Sequence, residues 1–102
     1  MKLQFIKAPA VGVMQMLSRR AADRERLLIT NPGAVGLVQG MLADMIAATD
    51  VAEKAAEVWV EEIRGICPQH FTMIAILGDI AEVGAALDAV RKRFIDKEHE
   101  DS

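Results

Sequence analysis

The chain has 102 residues and a formal charge of −3, enough for one domain with little room for a second. With 12 Lys and Arg against 15 Asp and Glu, and no basic cluster interleaved with aromatics, it offers no field for nucleic acid. No apolar stretch reaches the roughly 18 residues needed to span a bilayer and the N-terminus lacks a signal-peptide pattern, so no membrane partner is expected and the chain reads as cytoplasmic.

Apolar residues make up 52% of the chain, yet there is one Trp, three Phe and no Tyr, so Ala, Val, Ile, Leu and Met carry that content. A domain this small buries only roughly 60 to 65% of its unfolded surface. Its positive mean hydropathy therefore implies apolar surface covered by neighbouring subunits, and an oligomer is expected.

Residues 2 to 7, KLQFIK, alternate weakly and stop before Pro9, which reads as a short strand. Residues 10 to 22 set Val13, Met16, Leu17 and Arg20 at helical spacing. RRAADRER, residues 19 to 26, is mixed in sign and reads as a solvated helix end or loop rather than a phosphate or RNA patch. TNPG, residues 30 to 33, is turn chemistry. AVGLVQG, residues 34 to 40, fits a buried strand.

Residues 43 to 57 put Ile46, Thr49, Ala52 and Ala56 on one helix face and pair Asp50 with Lys54 four residues apart. VWVEEIRG, residues 58 to 65, reads as a strand, and HFTMIAILG, residues 70 to 78, as a strand buried on both faces. The tight turn between them is Ile66-Cys67-Pro68-Gln69. Asp79 and Glu82 have capping-box spacing, and Ile80, Val83, Leu87, Val90 and Phe94 mark one face of the helix that follows. From residue 95 the chain turns polar, and in its charged tail, residues 96 to 102, His99 reads as solvated.

From residue 35 the order is strand, helix, strand, turn, strand, helix. This is the core of a ferredoxin-like α/β sandwich, an α+β domain whose antiparallel-containing sheet carries both helices on one face. The tail is too polar to supply the usual fourth strand. KLQFIK can fill that place, making residues 1 to 102 one domain in circularly permuted order, with residues 1 to 30 as the permuted N-terminal strand and helix.

Cys67 is the one cysteine. A single thiol forms no intramolecular disulfide, and one Cys with one His is too few for a closed metal site, so Cys67 is either a small buried residue or part of a site completed by other copies. His70 could join it in a zinc site, but it begins a strand and is expected to point into the sheet or stack at the subunit edge. Met14, Met16, Met41, Met45 and Met73 read as core filler rather than a soft-metal box. Glu61 and Glu62 are adjacent on a strand and face opposite sides, against a paired acid and base. No phosphate loop, Ser triad or zinc-protease motif occurs, and nothing supports catalytic turnover.

Asp50, Lys54-Ala55-Ala56 and Val58, together with LGDIAEVGAALDAV at residues 77 to 90, resemble the bacterial microcompartment shell proteins built on a single BMC domain. The extra N-terminal strand and helix look like the permuted members, the ethanolamine S-type and propanediol U-type. GICPQ, residues 65 to 69, is similar to the Gly-x-Cys-Pro-Gln pore motif of the GrpU-type shell proteins of glycyl-radical propanediol microcompartments, a motif associated with an iron–sulfur cluster.

The resemblance implies a homo-hexamer that tiles with its like and with other shell proteins around enclosed enzymes. It makes Gly65, Ile66, Cys67, Pro68 and Gln69 pore-lining, places Lys54 at the hexamer edge, and makes Cys67 the ligand of a 4Fe–4S cluster shared between subunits. Electron transfer across the shell, or gating, would follow. The turn lacks the usual glycine- and serine-rich composition, which argues against simple metabolite passage. In permuted relatives the N-terminal strand either completes the sheet or builds a small barrel over the pore, and KLQFIK is expected near the pore side of the ring.

Elementary chemistry adds two constraints. Thiolates 4 Å apart repel by about 4 kcal/mol at an effective dielectric near 20, so a ring of Cys67 without metal stays largely protonated. Coordination to iron removes that objection, and Pro after a ligating Cys also occurs in bacterial ferredoxins. A cubane has threefold axes but no sixfold axis, so a sixfold ring lends it at most three equivalent thiols. The alternatives are a structural or metabolite-pore tile without a cluster, and a ferredoxin-like regulatory domain that binds a small ligand and does not tile.

Overall fold

The structure is a computed structural model and describes residues 1–65 and 71–96. The elements are β1 (Lys2–Lys7), α1 (Val11–Arg20), α2 (Arg24–Ile29), β2 (Ala34–Met41), α3 (Leu42–Ala55), β3 (Trp59–Ile63), β4 (Phe71–Gly78) and α4 (Ile80–Arg91). A wider π-type turn over Lys92–Asp96 extends α4.

The strands form one antiparallel sheet in the order β1-β2-β4-β3. Its centre is the β2–β4 pair, in register from Ala34 opposite Gly78 to Met41 opposite Phe71. Because strand side chains alternate, the buried run Ile74, Ala75, Ile76 and Leu77 serves two cores. Ile74 and Ile76 join Val38 against Met45, Ala48 and Ala52 of α3 and Val83, Ala86, Leu87 and Val90 of α4. Ala75 and Leu77 join Val35 and Ile63 on the other side, under Leu17 of α1 and Leu27 of α2. The two helices of the ferredoxin-like core share one face, as expected, and the N-terminal segment covers the opposite face with helices of its own.

β1 pairs with β2 from Lys2 opposite Gln39 to Lys7 opposite Ala34 and so supplies the fourth strand. Phe5 packs its ring against α4 at Gly84, where an added Cβ would lie 3.5 Å away. The chain leaves β1 through Ala8, whose φ of 46° is left-handed, and the Ala8 amide donates to the Gly33 carbonyl at 2.8 Å.

Several local expectations change. Part of the mixed-charge run forms α2: the Asp23 side chain accepts from the Arg26 amide at 3.1 Å, the Arg26 guanidinium lies 3.8 Å from the Trp59 ring centre, and Leu27 is fully buried. In α1 the sheet-facing side chains are Val13, Met14 and Leu17, while Met16 and Arg20 are exposed. In α3 the buried residues are Met45, Ala48 and Ala52; of the expected face, Ala52 is buried, Ala56 just past the helix packs on the same core and Thr49 is half-buried, but Ile46 is 65% exposed. Small Ala48 and Ala52 let the helix approach the sheet, and the Met45 methyl lies over Gly40.

Of the five methionines expected in the core, Met45 is buried and Met14 and Met73 pack on the second cluster, but Met16 and Met41 are exposed. Asp79 has N-cap backbone geometry without a side-chain cap bond, so the capping box does not form. Val83, Leu87 and Val90 are buried and Phe94 packs on them, whereas Ile80 is largely exposed.

Candidate functional site

Ile66, Cys67, Pro68, Gln69 and His70 lie outside the described residues, as does His99 in the tail. The roots of the β3–β4 turn are well defined. β3 pairs with β4 as far as Ile63 opposite Met73. Beyond that, the Arg64 amide donates to the Arg20 carbonyl at 2.8 Å and Ala21 bridges to Ile63, so the end of α1 is stitched to the end of β3. Gly65 is exposed, with nothing within 4 Å of where a Cβ would stand.

Exposed apolar side chains gather at this end of the sheet. Met41 and Phe71 are register partners, each about half exposed, and Leu42 and Ile46 follow on the first turns of α3. The beginning of β1 lies at the same end, since Lys2 pairs with Gln39, which in turn pairs with Met73.

Lys54 lies elsewhere. α3 starts beside the turn and runs away from it, so Lys54, twelve residues after Leu42, stands about 18 Å along the helix axis. Its Nζ meets Asp50 Oδ2 at 2.8 Å, the expected pair, with both side chains exposed. The strand ends that lead to the turn and Lys54 thus stand at opposite ends of the domain.

Glu61 and Glu62 diverge as their adjacency requires. Glu61 Oε1 accepts from the Asp23 amide at 2.8 Å on the α2 side, and Glu62 lines a groove with Ile46 and Thr49 of α3. Among the described residues no three His, Cys, Asp or Glu side chains come together to hold a metal. The donor set for soft-metal chemistry is therefore one thiol per chain, which suits iron only where several copies contribute sulfur. Sequence reasoning missed Arg64 altogether, which joins Arg19 and Arg20 beside Gly65. Only the tertiary stitch between β3 and α1 brings these arginines together.

A four-stranded antiparallel sheet with α3 and α4 on one face is the architecture here, and residues 34–100 match the BMC domain. The chain belongs to the BMC-domain family of bacterial microcompartment shell proteins. It is similar to the GrpU microcompartment shell protein from Clostridiales bacterium 1_7_47FAA, known in a ligand-free structure, with 39% identity over 91% of this chain and 90% of that one and a TM-score of 0.70. The GrpU shell protein from Pectobacterium wasabiae is 34% identical over 88% of this chain and 99% of its own, with a TM-score of 0.69. The fused permuted hexameric shell protein MSM0275 from the RMM microcompartment is 25% identical over 90% of this chain, with a TM-score of 0.67; the match spans 44% of that longer chain. No curated protein matches. No helix among the described residues is long and apolar enough to cross a membrane.

Proposed function

We propose that this chain is a tile of a bacterial microcompartment shell, in which six copies close into a ring and bring their β3–β4 turns to the axis. Cys67 thiolates from several copies would there hold a 4Fe–4S cluster. The observation that carries the reading is 39% identity to a GrpU shell protein over 91% of the chain. Two features of the fold support it. The exposed apolar side chains of Met41, Leu42, Ile46 and Phe71 stand at the turn end, where neighbouring copies would cover them. Lys54 stands at the other end, free to meet the next ring.

When bound, such a cluster supplies one-electron transfer, here across the shell. The residues of the chain do the rest. Cys67 offers the soft thiolate, and Pro68, with no amide hydrogen and a fixed φ, stiffens the segment that carries it. Gly65 leaves the root of the turn unobstructed. β1, completing the sheet from the N-terminal side, supports a permuted chain order.

Anaerobic reconstitution with iron and sulfide tests the reading. The expected product is a brown hexamer by light scattering, with visible charge-transfer absorption that Cys67→Ser abolishes. Iron binding no greater than that of Cys67→Ser would leave an inert structural tile. A monomer at micromolar concentration would overturn the shell assignment.

A further inference from the structure

We infer that Arg19, Arg20 and Arg64 form a binding site for small phosphate-bearing anions at the root of the β3–β4 turn. The three residues line one open depression of about 580 Å³ together with Gly65, a volume within the roughly 300–1,000 Å³ usual for small-molecule sites. Their backbones are fixed relative to one another by the Arg64 amide bonded to the Arg20 carbonyl and by the Ala21–Ile63 bridge. Arg20 is further steadied where its Nη1 donates to the Met16 carbonyl at 3.1 Å, which leaves its remaining N–H groups available.

Three cations converge at this spot. Lys54 and Lys92 each pair with an Asp one helical turn back, at 2.8 and 3.0 Å, and Arg26 stacks on Trp59. Among the described residues the lining of the depression contains no carboxylate. Glu62 Oε1 forms a long, exposed ion pair with Arg64 Nε at 3.8 Å, which offsets part of that charge, and the Glu61 carboxylate accepts from the Asp23 amide. Three guanidinium groups around one hollow repel each other until an anion enters, in a chain whose overall charge is −3. The guanidinium fork matches two phosphate oxygens at once, so phosphate is the anion this geometry suits. The depression is open, so binding rests on charge and falls as salt screens it.

Inorganic pyrophosphate, titrated calorimetrically into the full chain at low salt, is the probe. The expected result is saturable binding that weakens with added salt and falls about tenfold for each guanidinium removed in Arg19→Gln and Arg64→Gln. Arg91→Gln, on the opposite face of the sheet, should leave it unchanged. The same affinities in a Cys67→Ser background would show that the site stands apart from any cluster. Arg19 is exposed at the end of α1, so Arg19→Gln keeps the test usable if Arg64→Gln fails to fold. Absence of saturable heat, wild-type affinity in the Arg19→Gln variant, or equal weakening by Arg91→Gln would overturn the site.

Discussion

Leu17 of α1 and Leu77 of β4, both buried, belong to one cluster on the face of the sheet opposite α3 and α4. Through that cluster the N-terminal segment becomes part of the core. Leu17→Ala should cost about 2–4 kcal/mol, since it removes buried methyl groups and leaves a cavity under α1. Urea unfolding followed by circular dichroism checks this.

Gly36 sits under α4, where an added Cβ would come within 2.9 Å of the Leu87 side chain. Gly36→Ala should therefore destabilise the chain by about 1–3 kcal/mol through overpacking. Combining it with Leu87→Ala should recover part of that loss. A double-mutant cycle of thermal melts measures the coupling, and strict additivity would contradict the contact.

Ala8 holds a left-handed φ of 46° at the exit from β1. Glycine adopts that conformation without the steric penalty of a Cβ, so Ala8→Gly should stabilise the fold by about 0.5–1 kcal/mol even after its greater loss of backbone entropy. The melting temperature reports it.

Lys54 and Asp50 form an exposed pair of the kind that contributes under about 1 kcal/mol. Lys54→Ala should melt within a degree or two of the parent and, on the proposed shell reading, still form the hexamer by light scattering while electron microscopy shows fewer extended sheets. Large destabilisation would mean that Lys54 serves the fold and not the edge.

On the proposed cluster reading, Cys67→Ser should remove iron, sulfide and colour and leave the proposed hexamer intact, because oxygen replaces the soft donor at nearly the same size. Pro68→Ala should retain the colour at first and lose it faster in air, having loosened the turn without removing a ligand. Metal analysis before and after air exposure separates the two variants.

Much of this architecture is legible in the sequence, for reasons that differ by element. The apolar run of β4 can only be buried on both faces, and the stripe from Val83 to Val90 has one helical solution. The expected N-terminal strand is β1, with the bounds read from KLQFIK. α2 was hidden because its only buried residue is Leu27, and its stability comes from Asp23 and Trp59, the latter far along the chain. On α3 the sequence points to Ala52 but also to the exposed Ile46 in place of Met45 and Ala48, because Ala48 carries little hydropathy and Ile46 is the louder signal. Cys67 was noticed for its rarity, but only the surrounding GICPQ motif gave it a role. The juxtaposition of Arg20 with Arg64 had no sequence signal, since a backbone hydrogen bond between distant segments creates it.

The position of β1 also bears on engineering. Its first residue lies at the same end of the sheet as the β3–β4 turn, two strands across from β4, about 10 Å at ordinary strand spacing. In the proposed ring, a fluorescent reporter or cargo enzyme fused ahead of Met1 would emerge beside the axis and crowd it sixfold. The same fusion leaves the Lys54 end clear, so on that reading it should block the centre of the tile long before it disturbs the lattice.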